Sequence, residues 1–404
     1  MTALLALLLS WWLGARCVLD GDWEGGEELT RYCYSDAVAL WFTHGLADGR
    51  IPYVDDPLEY PPLIGAQTYL AASMARAFGG GAFAFYNVNA LFNAAFLLAT
   101  LALFRRLQAP PIRQLWWAAA PTMVLYAFLN WDALPVFLLV LAVTLHVSGR
   151  DAAAGVASGL GAAAKLFPAL LVPLVVIARL RQGDRPAAAR HVVGAAAGWA
   201  VVNLSLALLS FDGWKWFFEF NRDRGANFAT LWAVAGEVDL FVLGPPVLNL
   251  VSAVAFAVGA TLIVIVGVRR LRPAATWGLV LPILAWFLVT NKVFSPQYDL
   301  WLLPLLVLLL PRAAPFAAFL AVDLAVFLTE FAYLAGRAGV GPGVGYAPLG
   351  AAVVCRSVVL LLIVIVSLRR PASAPAAHHR QDPSHSRSSS TGFGTSMPYQ
   401  MGAK

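Results

Sequence analysis

Charge is the scarcest property of this chain: 12% of its 404 residues are Asp, Glu, Lys or Arg, against 60% hydrophobic. At a mean hydropathy of +0.72, too little polar surface remains to cover a soluble globule, and the chain belongs in lipid. Cysteine is nearly as sparse. Cys17, Cys33 and Cys355 stand at no metal-binding spacing, and a Cys17 to Cys33 bridge in an oxidising compartment is left open. P-loop, Rossmann and zinc signatures are missing from any context that would support them, which removes the usual nucleotide-binding enzymes. No carboxylate group has clear metal-ligand spacing, so neither a metal nor a cofactor is expected.

What the chain has instead is a succession of apolar runs of roughly 20 residues, enough to cross a ~30 Å hydrocarbon core as helices. The first, 2–19, has neither a basic leader nor a small-x-small cleavage site and is read as a retained helix. A net charge of +6 would suggest nucleic acid in a soluble protein. Here the basic residues fall in the connections: Arg105, Arg106 and Arg113; Arg150; Arg179, Arg181, Arg185 and Arg190; Arg269, Arg270 and Arg272; Arg312; Arg369 and Arg370. That is the positive-inside pattern; it implies contact with membrane lipid and no nucleic acid.

Holding those clusters inside gives crossings at 1–19, 82–104, 115–129, 133–147, 152–164, 166–180, 192–210, 243–268, 274–290, 300–310, 314–334 and 349–368, with both termini cytoplasmic. Several are short for a span, which suits hairpins packed inside a bundle. Residues 61–78 resist threading, because a crossing there would put Arg105 and Arg106 outside. Interrupted by Gln67, Ser73 and Arg76, they read as a helix on the outer surface after the Pro61-Pro62 pair. The expected fold is an all-α polytopic plasma-membrane bundle of about 12 transmembrane helices over 1–370. A first outer loop, 20–81, carries surface helices; a second runs over 211–242; the tail, 371–404, is disordered and cytoplasmic.

Ten of the 22 acidic residues lie between Asp20 and Glu59. Most suit a solvated loop avoiding the basic side, but Asp36 stands between Tyr32-Cys33-Tyr34-Ser35 and the apolar 37–42, where a helix meets the membrane surface. Ser35 is the expected N-cap. The helix dipole would then favour an ionised Asp36, as a general base requires. Asp132, at the tip of an outer hairpin, is a second candidate base or a polar turn cap.

Among the cations that fall outside, Lys165, Arg222, Arg224 and Lys292 stand out against the usual bias. Each is either a snorkelling side chain among headgroups or a ligand for a phosphate at the outer interface. Lys165 occupies a hairpin turn where an unpaired ammonium is expensive, and the two arginines follow an aromatic interfacial run, Trp214 to Phe220. A base beside a hydroxyl and cations beside a phosphate are the two halves of glycosyl transfer from a phosphate leaving group. Nucleotide sugars are cytosolic, so an outward site would use a sugar carried on a lipid phosphate. A transporter or lipid-linked-sugar flippase would also place charges at a cavity, though usually with internal repeats, and none stands out.

Tyr34-Ser35-Asp36, Gly49-Arg50-Ile51-Pro52-Tyr53 and Leu58-Glu59-Tyr60-Pro61-Pro62-Leu63 resemble the first outer loop of glycosyltransferase family 87. The similarity continues at Asn130-Trp131-Asp132, Lys165-Leu166-Phe167-Pro168, Asn221 to Asn227 and Ser295-Pro296-Gln297-Tyr298. The resemblance implies a GT-C-type fold, a polyprenyl-phosphate sugar donor, an inverting hexosyl transfer, mannose above all, to an envelope glycolipid or glycan, and Asp36 as the base. It also points to Lys165, Arg222, Arg224 and Lys292 at the donor phosphate, and to Glu59, Tyr60, Asn227, Gln297 and Tyr298 at sugar or acceptor. Where related sequences often place His after the late Ser-Pro, this chain has Gln297-Tyr298, a departure that bears on sugar or acceptor choice.

Overall fold

Apolar runs with their backbone polar groups satisfied internally can only be helical in lipid, and the computed structural model is helical throughout. It describes residues 1–21 and 26–369. Asp22, Glu24, Arg370 and the tail expected at 371–404 lie outside the described residues.

After α1 (Thr2–Asp20), the first loop holds α2 (Glu27–Thr30), α3 (Asp36–Thr43) and α4 (Pro62–Ala77). The long α5 (Ala82–Arg106) leads to α6 (Pro111–Ala119) and α7 (Pro121–Tyr126), then to the hairpin of α8 (Ala133–Val147) and α9 (Asp151–Ala164). A 3-10 turn at Phe167–Leu170 opens α10 (Leu171–Arg181), and α11 (Arg185–Leu209) follows. The second large loop carries α12 (Phe211–Asp223) and α13 (Leu231–Glu237); α14 (Pro245–Arg270), α15 (Val280–Thr290), α16 (Asp299–Leu309), α17 (Ala313–Arg337) and α18 (Tyr346–Arg369) complete the chain.

Among the described residues, seven helical stretches are long and apolar enough to cross a membrane, which makes this a multi-pass membrane protein. The other expected crossings are shorter or broken. The span read at 115–129 is two helices, because Pro121 forces Ala120 into an extended conformation (φ −63, ψ 131). The span read at 166–180 starts as a 3-10 turn around Pro168. The span read at 192–210 begins earlier, where the Asp184 carboxylate accepts from the Ala187 N–H at 3.0 Å and caps α11. The short α16 avoids lipid by burial: every one of its residues is buried.

The closest helix pair, α9 and α11, explains a run of glycines. A Cβ at Gly155 or Gly159 would overlap the His191 or Ala195 carbonyl oxygen, and one at Gly194 or Gly198 would overlap those of Ala152 or Val156. Paired small residues four apart let the two backbones touch, as is common between membrane helices. At the arginine-rich end, side chains finish the helices. Arg181 donates to the Leu271 carbonyl at 3.0 Å and Arg113 to that of Leu308 at 3.2 Å, satisfying carbonyls that a helix end leaves free. The opposite end gathers the expected site residues.

Gly159→Leu should lower the thermal unfolding midpoint and the folded yield in detergent, since overpacking against backbone has no side chain to give way, whereas Gly225→Ala, in open space, should change neither. Equal midpoints for the two variants would contradict backbone contact between α9 and α11.

Candidate active site

Asp36 is the first residue of α3, and its position is set by hydrogen bonds to the turn between α7 and α8. Its N–H donates to the Leu129 carbonyl at 2.8 Å. The Ser35 hydroxyl, expected to cap α3, instead donates to the Phe128 carbonyl at 3.1 Å, and makes no cap bond. The Asp36 carboxylate accepts from the Asn130 amide at 2.5 Å, and that amide also reaches the Tyr60 hydroxyl at 3.2 Å. The expected dipole effect loses. Burial pushes the Asp36 carboxyl up to about 6, against the opposing pull of hydrogen bonds from Tyr34 and Tyr60 and the charge of Lys165. The Tyr34 phenol is raised by the neighbouring Asp36 charge and by burial, and stays a proton donor.

The turn is braced from α5. The Asn93 amide donates to the Asn130 carbonyl at 2.7 Å and the Ala127 carbonyl at 3.2 Å, and Asn89 accepts from the Trp131 indole at 2.7 Å. Asn130, Asn89 and Asn93 were not singled out from sequence as site residues. The available signal was three asparagines, Asn87, Asn89 and Asn93, in a largely apolar helix, a pattern that needs buried partners.

Asp132, the second candidate base, is fully buried and already engaged. Its Oδ1 is 2.6 Å from the Lys165 ammonium and accepts the Trp301 indole N–H at 2.6 Å. Lys165, expected to meet a phosphate, thus has its anion inside the protein. Its ammonium also faces three rings, 5.3 Å from the centroid of Tyr298, 5.6 Å from Trp301 and 5.7 Å from Tyr60, each contributing through its quadrupole. Tyr298 stacks on Trp301 with centroids 3.8 Å apart. Tyr298 is therefore part of the wall behind Lys165.

Gln297 shares a cavity of about 260 Å³ with Asp36, Tyr34, Leu129 and Glu330. Glu59 does not line that cavity; its carboxylate is 3.8 Å from the His44 ring, which is 2.9 Å from Asp56. Glu330, on α17, was missed in the sequence, although the signal was there: Asp323 and Glu330 stand seven residues apart, on one face of a long apolar helix, and both are buried.

The remaining cations separate. The Lys292 ammonium donates to the Arg224 carbonyl at 2.7 Å and the Arg222 carbonyl at 3.3 Å, and burial followed by the Arg224 charge pushes it down. It braces the loop after α12. Asn227, expected at the sugar, uses its side-chain oxygen to accept from the Ala229 N–H at 3.1 Å, forming a turn. Arg222 is exposed and forked onto Asp223 at 2.7 and 3.0 Å. With Arg224, Trp216 and Phe220 it lines an open cavity of about 510 Å³. Among the described residues no group of three His, Cys, Asp or Glu side chains is placed to hold a metal ion.

One bridge ties the site to the first span. Cys17 near the end of α1 and Cys33, three residues before Asp36, form a disulfide. Closing a loop of this size stabilises on the order of 3 kcal/mol.

Asp132→Asn should destabilise the protein by about 3–5 kcal/mol in detergent unfolding, because it strands a buried ammonium. The double variant Asp132→Leu with Lys165→Met should recover most of that loss; additive losses would contradict a buried pair.

The model of glycosyltransferase family 87 matches residues 58–296, more than half of the chain. The match takes in Glu59, Tyr60, Asp132, Lys165, Arg222, Arg224, Asn227 and Lys292, and stops short of Asp36, Gln297 and Tyr298. No curated protein matches. The crystal structure of ArnT from Cupriavidus metallidurans in the apo state is similar at a TM-score of 0.43 and 16% identity, over 82% of this chain and 70% of that one. On the strength of the family match, this chain is a membrane glycosyltransferase and belongs to glycosyltransferase family 87.

Proposed function

We propose that the protein is an inverting hexosyltransferase of GT-C type. It would move a sugar, mannose above all, from a polyprenyl-phosphate donor to a glycolipid or glycan acceptor of the cell envelope. The observation that carries this reading is Asp36: a carboxylate fixed by Asn130 on the wall of a cavity, with the Lys165 charge acting on it from behind. Asp36 removes the proton from an acceptor hydroxyl as that oxygen attacks the anomeric carbon. The carbon to phosphate-oxygen bond breaks, its electrons leave with the polyprenyl phosphate, and the configuration inverts. Arg222 and Arg224, lining the open cavity beside the aromatic α12, are the phosphate contacts; Lys165 contributes a fixed field, and Lys292 holds the arginine loop.

Two observations support an outward site and hence a lipid-linked donor. The arginine-rich helix ends lie opposite the site, and positive charge marks the inside. The Cys17–Cys33 bridge lies at the site end, and disulfides persist in oxidising compartments. Membership in a glycosyltransferase family favours transfer over the transporter alternative.

A base acts in its ionised form, so with Asp36 at about 6 the turnover rate should rise with pH through that value and level off above it. Asp36→Asn should cut turnover by roughly 10² to 10⁴-fold and abolish that limb. Transfer at the wild-type rate by a folded Asp36→Asn variant would remove Asp36 from the chemistry.

A further inference from the structure

Glu330 is the one acid of α17 on the cavity that holds Asp36. It is 4% exposed, lies about two turns before the end of the helix, and lines the cavity with Asp36, Tyr34 and Gln297. Its Oε2 atom is buried and has no hydrogen-bond partner. The cation whose charge reaches it, Arg356, gives it no hydrogen bond, although the Arg356 Nε and Nη1 atoms are themselves buried without hydrogen-bond partners. That guanidinium sits 3.5 Å from Asp299, donates to the Ala229 carbonyl at 2.7 Å, and lies 3.4 Å over the Phe294 ring.

A buried carboxyl oxygen without a donor is costly, and a cavity wall is where a ligand supplies what the protein does not. A carboxyl group presents two acceptor oxygens, which suits the paired hydroxyls of a sugar ring. The other walls, Leu29, Leu129, Phe331 and Leu334, offer apolar surface to the C–H faces of the same ring. The volume, about 260 Å³, lies just under the roughly 300–1,000 Å³ of common small-molecule sites, matching a head group rather than a lipid tail. The arginines assigned to the donor phosphate line a different cavity.

From this geometry we infer that Glu330 is a specificity-determining residue for the acceptor: its carboxyl binds hydroxyls of the acceptor sugar and presents the attacking one to Asp36. The inference rests on the transferase reading above. Glu330 takes no proton in the reaction; it positions, and Asp36 is the base.

Glu330→Gln keeps the shape and removes one acceptor position, while Glu330→Asp retracts the carboxyl. In steady-state assays with a polyprenyl-phosphate mannose donor and a purified glycolipid acceptor, Glu330→Gln should raise the acceptor KM by about tenfold or more. It should lower kcat as well, because the attacking hydroxyl is no longer held at Asp36, and leave donor KM within about threefold, with Glu330→Asp between it and wild type. A rise in donor KM with unchanged acceptor KM would overturn the positioning role, as would wild-type constants throughout. Saturation-transfer NMR with methyl α-mannoside, without donor, reads the site apart from turnover. Signal in wild type and in Asp36→Asn that is lost in Glu330→Gln supports the site even if wild type never transfers sugar, in which case the transferase reading alone fails. Equal signal with and without Glu330, or none in wild type, overturns the inference.

Discussion

The site hangs on a buried ion pair. Asp132 and Lys165 meet at 2.6 Å with almost no exposure on either side, and the Trp301 indole completes the carboxylate oxygen. One contact therefore joins the start of α8, the end of α9 and the start of α16. Neither charge tolerates loss of the other in so dry a place, so the turn carrying Asn130 is fixed, and through Asn130 the Asp36 carboxylate. The pair also keeps a positive charge beneath Asp36 without exposing it to solvent or to a competing anion. That charge helps hold ionised a carboxyl that burial pushes up, leaving it near the range where a base is both available and effective.

The rest of the bundle divides its polar groups by end. At one end, arginines donate to helix carbonyls and fix the connections. At the other, asparagines of α5 supply donors and acceptors to an irregular turn, which is how non-helical backbone is tolerated when it is packed in protein. The disulfide between Cys17 and Cys33 adds a covalent tie from the first helix to the segment that delivers Asp36.

Much of the fold was legible because apolar run length reports directly on lipid. The bundle's helix sequence, the helix after Pro61-Pro62 and the start of α3 at Asp36 follow from that signal and from proline. Breaks inside runs were not legible: Pro121 and Pro168 read as first-turn prolines or as interruptions equally well. The α9–α11 contact went unread because small residues in an alanine-rich chain do not announce which of them touch. In the site, Asp36 stood out by position and Tyr60 and Gln297 through the family resemblance, and the structure gathers Asp36 and Gln297 around one cavity, with Tyr60 hydrogen-bonded to Asp36. Two of the cations, Lys165 and Lys292, have partners that the sequence does not show. A lone ammonium in a sequence looks like a ligand for something external, yet Lys165 and Lys292 are satisfied by Asp132 and by backbone carbonyls that lie far off in sequence. Glu330 is the converse, one of two acids seven apart in an apolar helix, whose importance lies in the partner it lacks.

The central claim is single-displacement transfer of a lipid-linked sugar at Asp36. It is tested most directly by incubating the purified protein in proteoliposomes with radiolabelled polyprenyl-phosphate mannose and envelope lipid, then determining the mass and anomeric configuration of any labelled product. The account predicts a glycolipid heavier by one hexose, with the anomeric configuration opposite to that of the donor. Label that stays on its carrier while crossing the bilayer, or a product that retains the donor's configuration, would contradict it.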